Sequence, residues 1–192
     1  MTVIGIIPSR YYSSRFPGKP LENILGKSMI QRVYEQAIKS KLDKVVVATD
    51  DHRIFNEVLS FNGEVVMTSS DHVSGTERCL EAINKINSKH EIIINIQGDE
   101  PFINPAQINQ LINSFNNEEI EISTLAKPIE SEEIFFDPNK IKVTINNKKA
   151  VSFDRIINSE FKKEIFYKHI GIYAYRSKIL KKICLLHPSS LE

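Results

Sequence analysis

Val3-Ile4-Gly5-Ile6-Ile7-Pro8-Ser9-Arg10 begins as an unbroken apolar run and stops at a proline, a serine and an arginine. A run this short and continuous, rich in β-branched residues, suits a strand buried on both faces, as in a parallel sheet. The same signature returns at Val45–Ala48, Val65–Met67 and Ile92–Ile96. Helical patterns with their own start signals lie between these runs. Ser28, with Gln31 three residues on, precedes Met29, Val33, Ala37 and Ile30, Tyr34, Ile38 at helical spacing. Asp51 opens a second helix that puts Ile54, Phe55, Val58 and Leu59 on one face and stops at Asn62-Gly63. Ser74 with Glu77 has the form of a capping box before Leu80, Ile83 and Ile86, and Asn104-Pro105 starts a fourth helix. Strand and helix in alternation predict an α/β fold: a doubly wound, mostly parallel, Rossmann-like sheet with right-handed crossovers.

After about residue 120 the rhythm changes. Glu121–Ala126, Ile141–Ile145, Ala150–Phe153 and His169–Tyr175 read as strands with few helices between them. This predicts a mixed sheet or a β-rich excursion from the same domain. At 192 residues the chain fits one domain with a substantial core. Its formal net charge of +1 gives no global attraction to nucleic acid or an anionic membrane, so any anion site must be local. The two cysteines, Cys79 and Cys184, form no CxxC pattern, which excludes a zinc ribbon and argues against a disulfide framework. No apolar stretch approaches the roughly 20 residues that span a bilayer, and a reducing cytoplasm is the expected compartment. The lysine pairs at 148–149, 162–163 and 181–182 read as solvated faces.

Three segments carry chemistry. Arg10-Tyr11-Tyr12-Ser13-Ser14-Arg15-Phe16-Pro17-Gly18-Lys19 comes directly after the first strand, where open α/β sheets bind ligands. Guanidinium forks match phosphate oxygens, lysine adds a point charge, and glycine allows close backbone approach. The loop fits neither GxxxxGK[ST] nor GxGxxG, so phosphate binding stands beside a second reading in which its arginines brace the domain. Gln97-Gly98-Asp99-Glu100-Pro101 ends the strand at Ile92–Ile96 with adjacent carboxylates. A carboxylate there can hold Mg²⁺, with phosphates and water completing the octahedron; a turn cap is the plainer alternative. Asp99, directly after the glycine, is the expected ligand, with Glu100 orienting backbone. Asp71-His72-Val73-Ser74-Gly75-Thr76-Glu77-Arg78 places small donors at a helix N-terminus, and His72 reads there as an exposed loop histidine. No Ser-His-Asp or Cys-His arrangement can be argued, which suits phosphoryl chemistry based on positioning and electrostatics.

Together these segments resemble the 3-deoxy-manno-octulosonate (Kdo) cytidylyltransferases, the CMP-Kdo synthetases. The likeness rests on Ile6-Ile7-Pro8-Ser9-Arg10 with residues 13–21, on Val47-Ala48-Thr49-Asp50 and on Ser74-Gly75-Thr76-Glu77-Arg78. It continues through Asn95-Ile96-Gln97-Gly98-Asp99-Glu100-Pro101 to residues 168–176. It covers essentially the whole chain. The resemblance implies a nucleotidyltransferase domain over residues 1–192. Its nucleotide-binding α/β part would span 1–127, and a β-rich sugar-binding and dimerisation excursion would span 128–176. The implied reaction is attack of the Kdo anomeric hydroxyl on the α-phosphorus of CTP, giving CMP-Kdo and pyrophosphate for lipopolysaccharide biosynthesis, with Mg²⁺ required. Arg10, Arg15 and Lys19 would cradle the triphosphate with Ser13. Ser74, Gly75, Thr76 and Arg78 would line the nucleotide pocket, and Asp99 would hold the metal. Gln97, Arg155, His169 and Tyr173 would face the sugar. The resemblance also implies a cytoplasmic homodimer that binds neither nucleic acid nor membrane.

Two departures stand out. Asp154 precedes Arg155 where the family has Phe-Ser-Arg, placing a negative charge near residues expected to meet a sugar carboxylate. Family members also continue past residue 192 into a segment with a second metal-binding aspartate, so the chain is expected to be C-terminally shortened. Two alternatives accompany the main expectation: a sialic acid as acceptor, and a nucleotide-binding fragment without turnover.

Overall fold

The structure is a computed structural model that describes residues 1–13, 16–129, 133–156 and 166–186. Contacts divide the chain into two units, Met1–Ser123 with Ile172–Glu192, and Thr124–Gly171.

In the first unit, β1 (Val3–Ser9) leads through a short 3₁₀ turn, Lys19–Leu21, to a small hairpin of β2 (Asn23–Ile24) and β3 (Lys27–Ser28). Next come α1 (Met29–Ala37), β4 (Lys44–Thr49), α2 (His52–Ser60), β5 (Val65–Met67), α3 (Gly75–Lys85), β6 (Ile92–Asn95) and α4 (Pro105–Ser114). Strands β5, β4, β1 and β6 lie side by side in that order and run parallel. Residues Tyr173–Arg176 of the later strand β10 add an antiparallel edge next to β6. The sequence-derived fold class is therefore the observed one.

The sheet is covered on both faces. Ile4, Ile6, Val46, Ala48 and Ile93 pack against Cys79, Ala82 and Ile83 of α3, together with Tyr175 and Leu180. The alternate residues Val3, Ile7, Val45 and Val47 point the other way, as strand geometry requires, and are equally buried. On that side α1 and α4 touch each other and bury Ile30, Val33, Ala37, Ile108 and Leu111. Burial on both faces explains why these strands read as continuous apolar runs.

The helix starts obey their signals. Ser28 accepts from the Gln31 N–H, Asp51 from the Arg53 N–H and Ser74 from the Glu77 N–H. At Ser74 only half of the expected box forms, because the Glu77 carboxylate accepts from the Val73 N–H instead. The full box is at Asn104, where Gln107 returns the bond. Helix α2 stops as expected: Asn62 takes a left-handed φ of 59°, and the Gly63 N–H reaches the Val58 carbonyl at 2.9 Å.

The second unit holds most of β7 (Ile122–Pro128), a short helix α5 (Glu133–Phe136), β8 (Lys142–Asn146), β9 (Lys149–Asp154) and the Phe166–Gly171 half of β10 (Phe166–Arg176). Strand β8 pairs antiparallel with both β9 and β10, and β7 pairs with β10. Asn147 and Lys148, both at positive φ, make the tight β8–β9 turn. Lys142 is fully buried, and its ammonium donates to the carbonyls of Asp137, Lys140 and Arg155. The final helix, α6 (Ser177–Ile183), belongs to the first unit. Lysines 148–149 and 181–182 are exposed as expected, while 162–163 lie outside the described residues. No helix among the described residues is long and apolar enough to cross a membrane.

Candidate active site

The carboxyl ends of β1 and β6 are neighbours in the parallel sheet, so the loops leaving these two strands must share one edge. A cleft of about 600 Å³ opens there, lined by Pro8, Ser9, Arg10, Ser13, Phe16, Lys19, Pro20, Gln97, Gly98 and Asp99. The cationic loop and the acidic tip meet across it: Lys19 Nζ lies 2.5 Å from Asp99 Oδ2, with both side chains part-exposed. Its floor is backbone-tight. A Cβ added to Gly98 would sit 3.0 Å from the Pro8 carbonyl oxygen, closer than side-chain carbons ordinarily approach.

The loop is built to present its cations. Gly18, at a φ of 76°, turns the chain so that its N–H reaches the Tyr11 carbonyl at 2.8 Å, and Lys19 comes next in the 3₁₀ turn. Ser13 lines the cleft, but its hydroxyl is engaged with Phe16, donating to the carbonyl at 2.6 Å and accepting from the N–H at 3.1 Å. Arg10 is exposed on the cleft wall and forms no ion pair among the described residues. Arg15, expected beside it, lies outside the described residues.

A second cavity of about 210 Å³ adjoins the first and shares Pro8, Ser9, Arg10 and Gln97 with it. His72, Val73, Ser74, Gly75 and Arg78 complete its lining. Ser74 and Gly75 stand where the sequence placed them, at the start of α3. Three residues of this segment have further partners. Arg78 lines this cavity with a side chain that is 4% exposed, and its guanidinium donates to Asp50 Oδ2 at 2.8 Å, Thr68 Oγ1 at 2.6 Å and the Ser69 carbonyl at 3.0 Å. It ties α3 to the ends of β4 and β5, so it shapes the cavity wall. Thr76 lines neither cavity, and its carbonyl accepts from the Cys184 thiol at 3.8 Å. His72 is not an idle surface residue either, since its imidazole pairs with Glu81 and lies 3.8 Å from Glu77. Burial pushes the Glu81 carboxyl up, but hydrogen bonds from Lys85, the Ser69 N–H and His72 outweigh it and hold the pKa down at about 2.

The residues expected to face a sugar fall in both units. Gln97 lines both cavities of the first unit. Tyr173, in the same unit, is part-buried: it packs against the α3–α6 side of the core, its ring 6.1 Å from that of Tyr175, and burial raises its pKa. In the second unit, His169 Nε2 lies 2.9 Å from Thr124 Oγ1, with Phe153 edge-on at 5.0 Å, and burial lowers its pKa. Arg155 donates to the Pro138 carbonyl, and Asp154 is exposed and accepts from the Ser152 hydroxyl at 2.7 Å.

Asp99 is the carboxylate in the larger cleft, and the described residues include no cluster of three or more metal-binding side chains. One carboxylate beside the cationic side chains of Arg10 and Lys19 has the donor chemistry of a site for a hard divalent ion whose other oxygens come from a ligand and water. Both cysteines are free thiols, Cys79 in the core and Cys184 part-buried, and burial pushes both up in pKa.

Comparison with known proteins gives a consistent result. The family profile described as Cytidylyltransferase matches residues 4–192. The 3-deoxy-manno-octulosonate cytidylyltransferase of Parabacteroides distasonis is 51% identical, over 100% of this chain and 82% of that protein. That of Cytophaga hutchinsonii is 48% identical over 100% and 81%. A solved CMP:2-keto-3-deoxy-manno-octonic acid synthetase complexed with CTP superposes with a TM-score of 0.91 at 39% identity, covering 99% of this chain and 80% of that one.

Proposed function

The chain belongs to the cytidylyltransferase family and is a nucleotidyltransferase, and we infer that it works as a CMP-Kdo synthetase. It transfers CMP from CTP to the anomeric hydroxyl of Kdo. The hydroxyl gives its proton to water as its oxygen bonds to the α-phosphorus, the bond from that phosphorus to the bridging oxygen breaks, and pyrophosphate leaves. The observation that carries the reading is the meeting of Lys19 and Asp99 in one cleft at the edge of a parallel sheet.

Each cleft residue then has a task. Arg10 and Lys19 bind the triphosphate, and their charge lowers the barrier as negative charge grows on the departing pyrophosphate. Arg15 shares that assignment. The smaller cavity, bounded by Ser74, Gly75 and the wall that Arg78 braces, takes the nucleoside end. Gln97, on the walls of both cavities, is placed to hydrogen-bond the acceptor sugar. Asp99 would hold Mg²⁺, which when bound would neutralise charge on the phosphate oxygens and make the phosphorus more open to attack. A homodimer joined through the β-rich unit belongs to the same reading, supported by the exposure of Val151 and Phe153 on β9. So does a cytoplasmic location, which suits the two free thiols.

The test is pyrophosphate release from CTP and Mg²⁺ with Kdo, run beside N-acetylneuraminate. Kdo alone should support turnover; release with the sialic acid only would overturn the acceptor assignment. Asp99→Asn conserves volume, so the protein should stay folded and lose nearly all turnover. Near-normal turnover of that variant at low millimolar Mg²⁺ would remove Asp99 from the metal site.

A further inference from the structure

Arg53, the second residue of α2, had no place in the sequence-based site, yet it is wired to the triphosphate-binding loop. At the end of β4, Thr49 Oγ1 accepts from the Asp51 N–H at 3.2 Å, and Asp51 caps α2 through the Arg53 N–H at 2.8 Å. The same carboxylate takes both prongs of the Arg53 fork, Nε at 2.9 Å and Nη2 at 2.7 Å. Two hydrogen bonds to one carboxylate orient the half-exposed guanidinium and turn its flat face to one target. That target is Tyr11, whose ring centroid lies 3.3 Å from Arg53 Cζ, with the Tyr12 ring at 5.8 Å. Gly18 lies against Tyr11 as well: a Cβ added there would come within 3.2 Å of its ring. Gly18 also bonds the Tyr11 carbonyl and immediately precedes Lys19.

We propose that Arg53 is a positioning residue for nucleotide binding: it clamps Tyr11, and through Tyr11 and Gly18 it sets the loop that presents Arg10 and Lys19 to the triphosphate. Its own charge is matched by Asp51 and its face is covered by tyrosine, so it acts through the loop and does not grip phosphate itself. The inference rests on the CMP-Kdo synthetase reading and adds a residue to it.

The test uses the whole chain with CTP, Kdo and Mg²⁺. A cation–aromatic contact of this kind is worth about a five-fold change in an equilibrium. Arg53→Ala should therefore raise the KM and the calorimetric Kd for CTP about five-fold while the KM for Kdo and the melting temperature stay close to wild type. Arg53→Lys, which keeps the cation and loses the fork, should restore part of the CTP affinity. Tyr11→Leu should match Arg53→Ala, and the double variant should be little worse than either, because both break one contact. Additive losses in the double variant, or a CTP affinity untouched by Arg53→Ala, would overturn the proposal. Absence of turnover by the wild type with Kdo would count against the parent reading, and the CTP-binding arm would still decide the role of Arg53.

Discussion

Replacing Arg78 with methionine separates a brace from a ligand. Methionine keeps most of the volume of the side chain and none of its three hydrogen bonds. The change leaves the Asp50 carboxylate, 14% exposed, without its partner, and removes the donors to Thr68 Oγ1 and the Ser69 carbonyl. Removing one member of a buried ion pair costs about 3–5 kcal/mol. Because Asp50 keeps some contact with water, the lower end, about 3 kcal/mol, is the appropriate figure. For a chain of this size each kcal/mol moves the midpoint by about 2–4 °C, so the melting temperature should fall by roughly 6–12 °C. Differential scanning calorimetry on Arg78→Met, Asp50→Asn and the double variant would measure it. The double variant should recover part of the loss, since it no longer buries an unmatched charge. A ligand role predicts the opposite pattern, with the melting temperature held and the KM for CTP raised. A drop smaller than about 2 °C, which corresponds to less than about 1 kcal/mol, would refute the bracing argument.

Neighbouring groups give further expected outcomes. Glu81, held at a pKa of about 2 against an ordinary 4.5, stabilises the fold fully above about pH 4.5 and loses that contribution as the pH falls toward 2. The stability gap between wild type and Glu81→Gln, measured by urea unfolding, should therefore close across that window. Gly18→Ala forces a side chain onto a φ of 76° and against the Tyr11 ring, which should cost about 1–2 kcal/mol and raise the KM for CTP. Lys142→Met strips three part-buried carbonyls of the second unit of their donor, and a loss of about 1–3 kcal/mol in chemical denaturation is expected.

Much of this architecture is readable because the information is local. β1, β4 and β6 announce themselves as apolar runs, being buried on both faces, and Ser28, Asp51, Ser74 and Asn104 are caps that need only their own helix. The position of the cleft is also legible, since parallel strands put the loop after Ser9 and the tip at Asp99 on one edge. Side chains whose partners are distant in sequence are not legible. Arg78 sits at a helix N-terminus like a ligand, and only the folded sheet brings Asp50 and Thr68 around it. Lys142 looks like a solvated strand lysine until the carbonyls of Asp137, Lys140 and Arg155 converge on its ammonium. Tyr173 follows strand alternation onto the flank of the core cluster, a placement that needs the pairing of β10 with β6. Arg53 gives no signal at all in the sequence, because a stacking partner some forty residues away leaves no periodic trace.

The Pro8 carbonyl pressed under Gly98 has a bearing on how such enzymes diversify. A methyl group at position 98 would crowd the Pro8 carbonyl at 3.0 Å, so a side chain there asks the adjoining strand end to give way by a few tenths of an ångström. The side chains around it, Gln97 among them, line the cavities without that backbone contact and are the more natural places for variation. An engineer seeking a different sugar nucleotide would randomise those positions and leave the ground under them alone.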